Sequence, residues 1–144
     1  MKTSPIAAIY GFDRRTAWQR PLFACGVSAG FPSPADDYVD CRLDLNELLV
    51  KHPAATFFVR VAGDSMIGAG IHHDDILVVD RSLEPVSGKV VIAVLNGELT
   101  VKRLLRQPGT VRLVAENPKH PPIELTEESA CEIWGVVTSV IHSL

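Results

Sequence analysis

A chain of 144 residues, 47% of them hydrophobic and 22% charged, is long enough to close one core and too short for two of ordinary size. Its formal charge of -3 argues against a surface that grips nucleic-acid phosphates by bulk electrostatics, although Arg14, Arg15, Arg20 and the group Lys102, Arg103 and Arg106 are locally basic. No run approaches the ~18 apolar residues of a membrane span, the N-terminus lacks the apolar block of a secretory signal, and Cys25, Cys41 and Cys131 show no C-x-x-C spacing, so the expectation is a soluble cytoplasmic protein with reduced thiols.

Residues 1 to about 40 have no sustained periodicity and carry Pro5, Pro21, Pro32 and Pro34, with glycines at 11, 26 and 30, which reads as a weakly structured arm. Within it, CGVSAGFPSPADDYVD contains two junctions of a small residue with glycine, Cys25-Gly26 and Ala29-Gly30, just ahead of a proline-marked turn. Regular structure is expected from LDLNELLVKHP, where Asp44 can cap a short helix with Glu47 three residues on, before Pro53 stops it. Strands follow at 56–63, 75–81, 89–95, 98–105, 110–116 and 131–141, each short, rich in β-branched residues and bounded by Gly, Pro, Asn or Asp. The expected fold is mostly β, with one short helix, a flexible arm over 1–40 and a β-rich body over 41–144.

Asn96-Gly97 separates VVIAVL from ELTVKRLL, and both residues accept the positive φ of a tight hairpin, so these strands should pair antiparallel. In the second strand Thr100, Lys102 and Leu104 share a face, which sets Lys102 beside apolar neighbours. A lysine with its ordinary pKa of ~10.4 is no base at neutral pH, but desolvation among apolar side chains lowers that value by several units. The bland alternative is a strand lysine whose stem packs on the sheet while its ammonium reaches water.

Ser65 stands in VAGDSMIGAGIHHDDILVVD, just after an expected strand end, where its hydroxyl and nearby backbone N–H groups can face one space. Gly-Asp-Ser triplets are commonly just turns, so a nucleophile requires a base. His72, His73 and Lys102 are the candidates. The two histidines lie in a polar loop and no further ligand at recognisable spacing completes a metal site with them, which leaves them as solvated turn residues and favours Lys102.

The serine segment VAGDSMIGAGIHHDDILVVD, the hairpin with GELTVKRL and the upstream FPSPADDYVDCRLDLNELL together resemble the self-cleaving LexA/UmuD family of Ser-Lys peptidases over roughly residues 22 to 141. The resemblance implies that Ser65 is the nucleophile and Lys102 its general base, with an oxyanion hole from the backbone N–H groups of Ser65 and of a neighbour in the Gly63-Asp64 turn, here Asp64. It implies no cofactor and no metal. In UmuD-like chains the scissile bond directly precedes Gly-Phe-Pro-Ser-Pro, which begins here at Gly30, so the implied target is Ala29-Gly30. Val27-Ser28-Ala29-Gly30 is also similar to the Val-x-Ala-Gly of LexA, whereas Cys25-Gly26 matches only a dipeptide. Small residues on both sides of the bond leave the carbonyl open to a buried serine.

The implied partners are a second copy of the chain in a homodimer, a RecA–single-stranded-DNA filament that stimulates cleavage, and a UmuC-like Y-family DNA polymerase catalytic subunit joined by the processed form in SOS mutagenesis. Strong direct DNA binding and membrane association are not expected. Residues 1–29 are too few for a helix-turn-helix domain of the kind LexA-type repressors carry. Two other classes stand beside this reading: a non-cleaving LexA-fold regulatory binding protein or transcriptional regulator, and a protease acting on other substrates in the manner of signal peptidases.

Overall fold

The computed structural model describes residues 6–11, 19–23 and 39–144, with side chains described outside 19–23 and 39–42. The chain divides into two compact units, residues 13–51 on one side and residues 1–12 with 52–144 on the other.

In the smaller unit β2 (Gln19–Phe23) and β3 (Val39–Asp44) pair antiparallel, with Gln19 opposite Asp44 and Phe23 opposite Val39. The stretch between these strands, which carries Cys25-Gly26 and Ala29-Gly30, lies outside the described residues. Helix α1 (Leu45–Leu49) follows directly, capped as its sequence predicts: the Asp44 carboxylate accepts the Asn46 N–H at 2.9 Å. It ends before Pro53, which opens a single 3-10 turn over Pro53–Ala55.

The larger unit is one eight-stranded antiparallel sheet made of β1 (Ile6–Gly11), β4 (Thr56–Val61), β5 (Ile76–Asp80), β6 (Val90–Leu95), β7 (Glu98–Gln107), β8 (Thr110–Val114), β9 (Ile123–Leu125) and β10 (Cys131–Ile141). Their order across the sheet is β1-β4-β5-β10-β6-β7-β8-β9. The last strand is therefore interior, pairing with β5 on one side and β6 on the other. The mostly β class and the single helix are as the sequence predicts among the described residues. So is the β6–β7 hairpin: Asn96 and Gly97 have φ of 51° and 82°, and Leu95 faces Glu98.

The alternation of β6 and β7 feeds two apolar clusters. Ile92 and Val101 join Val59, Val61, Met66, Ile71, Leu77 and Val79, while Val91, Ala93 and Leu104 join Leu113, Ile123 and Val136. Both faces of the hairpin are thus covered, which is why VVIAVL reads as an unbroken apolar run.

Four strands lie outside the elements expected from sequence. β1 falls in the stretch read as an arm, yet it pairs with β4 from Ile6 opposite Val61 to Gly11 opposite Phe57. Its alanines and a register shift between Ile6 and Ala8 blur the period-2 signal. β2 and β3 carry Pro21 and charged residues that hide their pairing, and the three residues of β9 are too short a run to detect.

Candidate active site

Strand β4 ends at Val61 and the chain turns at Gly63, whose φ of 98° favours glycine. Asp64, Ser65 and Met66 follow, leading into a 3-10 turn over Ile67–Ala69. Met66 anchors the turn from within: its side chain is buried in the first apolar cluster and its carbonyl accepts the N–H groups of Ala69 and Ile71 at 3.0 and 3.2 Å. Ser65, next to this anchor, has no exposed surface.

Lys102 comes from the middle of β7 and is likewise 0% exposed. Its Nζ lies 3.0 Å from Ser65 Oγ, 3.2 Å from Thr100 Oγ1 and 3.1 Å from the Val101 carbonyl oxygen. No carboxylate forms an ion pair with it among the described residues. Burial lowers its pKa from 10.5 to about 8. A neutral amine has two N–H donors and one lone pair, and this site suits that inventory: Thr100 and Val101 offer two acceptors, and Ser65 offers a hydroxyl proton for the lone pair. Thr100 lies two residues before Lys102 and so shares its strand face, a signal in the sequence that a hydroxyl stands beside the amine.

The loop after β8 also reaches the serine turn. The Asn117 side-chain amide donates to the Asp64 carbonyl at 2.9 Å, and the His120 ring lies with Nε2 2.9 Å from Asp64 Oδ1. That contact with His120 is the main cause holding the exposed Asp64 carboxyl below its ordinary pKa. Gly68 donates its N–H to the Glu116 carbonyl at 2.8 Å, and a Cβ on Gly68 would meet that oxygen at 2.7 Å. Sequence reasoning missed this loop; its signal is an Asn-Pro turn flanked by charged residues, which marks a turn but not what the turn touches.

Of the sequence-nominated bases, His73 accepts the Gly63 N–H at 3.2 Å, and His72 packs its ring 4.9 Å from that of His142. His72, Asp75 and His142 bring three metal-capable atoms within 4.8 Å of one another, a grouping that spacing alone did not show. Asp75 is already engaged there, accepting the His72 N–H at 2.7 Å and lying 2.5 Å from His142 Nδ1. The cluster thereby ties the end of β10 to the start of β5. Cys131 is half-buried, and burial pushes its thiol pKa up. No helix among the described residues is long and apolar enough to cross a membrane.

A mostly β body that sets a buried serine against a desolvated lysine is the arrangement expected of a Ser-Lys peptidase. The family model for Peptidase S24-like proteins matches residues 21–138, and the chain belongs to that family. It is similar to Protein ImpA of Salmonella typhimurium, 50% identical over 127 residues that cover 88% of this chain and 86% of that protein. It is also similar to Protein MucA of Escherichia coli, 46% identical over 125 residues, 86% of this chain and 83% of that one. More distant is the LexA repressor of Pectobacterium carotovorum, 36% identical over 118 residues that cover 81% of this chain but 58% of the repressor. The resemblance to the LexA/UmuD family is thus borne out.

Proposed function

We propose that this chain is a self-cleaving serine endopeptidase that cuts its own N-terminal arm at Ala29-Gly30. The observation that carries the reading is the 3.0 Å contact between Ser65 Oγ and a Lys102 amine whose pKa burial lowers to about 8. The neutral Lys102 amine takes the Ser65 proton as Oγ attacks the Ala29 carbonyl. The Ser65 and Asp64 N–H groups stabilise the oxyanion, and the Lys102 ammonium returns the proton to the departing Gly30 amine. Water then attacks the acyl-enzyme with Lys102 again as base, which frees Ser65 and leaves a body that begins at Gly30.

The segment to be cut belongs to the chain itself, so the rate follows how often it occupies the site, and a partner that favours the docked state switches cleavage on. The relationship to the LexA/UmuD family supports a RecA–single-stranded-DNA filament as that partner. It supports the same setting for the product: a cytoplasmic homodimer that serves a UmuC-like Y-family polymerase in translesion synthesis during SOS mutagenesis.

Intact mass spectrometry of the purified protein, incubated with and without the filament, tests the reading. The expected result is a new species starting at Gly30, formed faster with the filament and absent from Ser65→Ala and Lys102→Ala. A start at Gly26 moves the target bond. Processing that persists in purified Ser65→Ala rejects the nucleophile, and a wild-type protein that stays whole in both conditions favours a binding protein with an idle dyad.

A further inference from the structure

We propose that Asn117 is a positioning residue that aims the Ser65 N–H at the oxyanion of the proposed cleavage reaction. The inference rests on the self-cleavage reading above and adds to it a residue outside the dyad and Asp64.

The peptide unit between Asp64 and Ser65 links the Asn117 side chain to the serine N–H. A trans peptide is planar, and its C=O and N–H point in opposite directions, so holding one end sets the direction of the other. The Asp64 carbonyl is the end that is held, at 2.9 Å by Asn117 Nδ2 and only at 3.4 Å by the Ile67 N–H, so Asn117 is the tighter of its two donors. Asn117 is only 6% exposed, and its own orientation is set from the far side, where Oδ1 accepts the Lys119 N–H at 3.0 Å. With the oxygen committed to a backbone donor, the amide nitrogen is the atom left to face the carbonyl. The Ser65 N–H, which is the oxyanion donor in the proposed mechanism, is thereby turned to the side opposite Asn117.

Three further contacts make the Asn117 loop a brace rather than a single tether. His120 meets the Asp64 carboxylate at 2.9 Å, so the same loop holds both the side chain and the carbonyl of the residue before the serine. Glu116 accepts the Gly68 N–H beyond the serine at 2.8 Å, an approach too close for any side chain at position 68. The Glu116 carboxylate also pairs with Arg103 Nε at 2.5 Å, and Arg103 follows Lys102 on β7. One short loop therefore references the serine turn to the strand that carries the base. Preorganised donors of this kind lower the barrier because they need no reorientation as charge develops.

The test uses the full chain and two reactions of Ser65, self-cleavage and labelling by a fluorophosphonate. In the second, Oγ forms a bond to phosphorus, fluoride leaves, and the hydroxyl proton passes to Lys102. The variants are Asn117→Asp, which keeps the shape and the acceptor for the Lys119 N–H but loses the donor, and Asn117→Ala. Both are checked for native melting, and both reactions are followed from pH 6 to 10. The expected result is a fall of about 10- to 100-fold in the high-pH plateau of both reactions, with the pH midpoint unchanged. Loosening of the loop without positioning would instead hydrate Lys102 and carry the midpoint upward, and that result overturns the proposal. So do wild-type plateaus in two folded variants. A wild-type chain that labels at Ser65 but does not cut itself removes the target-bond reading and leaves the labelling plateaus to decide the role of Asn117. A chain in which Ser65 does neither overturns both.

Discussion

Lys102 is held by the fold in a place its charge disfavours. Its native pKa of about 8 against an ordinary 10.5 means that below pH 8 the native state carries a buried ammonium, a destabilisation of about 3 kcal/mol. Between those two values the unfolded chain binds the proton and the native chain does not, so this residue makes stability rise with pH across the window. Lys102→Met should therefore raise the melting temperature at neutral pH while abolishing cleavage, and the gain should shrink as pH approaches 10.5. A variant less stable than wild type at pH 7 would show that the amine's contacts with Thr100 and Val101 outweigh its desolvation.

Asp80 is the converse case, a charge whose partners stabilise the native state, although it too makes stability rise with pH. Burial pushes its carboxyl pKa up, but hydrogen bonds from Ser82 and a 2.5 Å contact with His52 outweigh that and leave it below 3.8. A depressed carboxyl contributes stability that is whole above its unfolded pKa and lost as pH falls through its native one. Asp80→Asn should cost about 1–3 kcal/mol at pH 7, and the two proteins should converge in acid below pH 3.8, as read by circular dichroism melts. A constant difference from pH 7 to 2 would reject the carboxylate as the cause.

At the level of elements, strand pairing bears on what cleavage does. Residues 1–29 include β1, laddered to β4, and β2, laddered to β3. A cut at Ala29-Gly30 would break one covalent bond while leaving both ladders in place, turning an intramolecular contact into a bimolecular one. The expected outcome is that the N-terminal piece stays with the body in native mass spectrometry at high protein concentration and leaves on dilution or in mild denaturant. Immediate loss of the fragment at all concentrations would show that the ladders need covalent closure. The same elements mark the limit of pattern reading. β4 to β8 and β10 announce themselves through β-branched runs and turn residues, whereas β1 and β2 contain alanine, glycine or proline, and their pairing depends on a neighbour that local sequence does not name.

For the whole molecule, regulation and chemistry should separate. The depressed pKa of Lys102 arises from burial within β7 and its neighbours, whereas the filament is proposed to act on occupancy of the site by the segment to be cut. Filament addition should therefore multiply the cleavage rate by the same factor at every pH and leave the midpoint near 8. A shifted midpoint would mean that the activator alters the site itself.

The amino-acid sequence alone determined the β class, the capped helix at Asp44 and the Asn96-Gly97 hairpin, because each follows from local periodicity or turn chemistry, while its resemblance to the LexA/UmuD family nominated Ser65 and Lys102. Only the tertiary structure decided that the serine and the amine meet at 3.0 Å with both side chains fully buried, that Asn117 and His120 grip Asp64 from beyond β8, and that His142 closes on Asp75, 67 residues before it. Those contacts join parts of the chain that are adjacent only after the sheet has formed. Desolvation, which sets the chemistry of Lys102, is a property of what surrounds a group in space rather than of its neighbours along the chain.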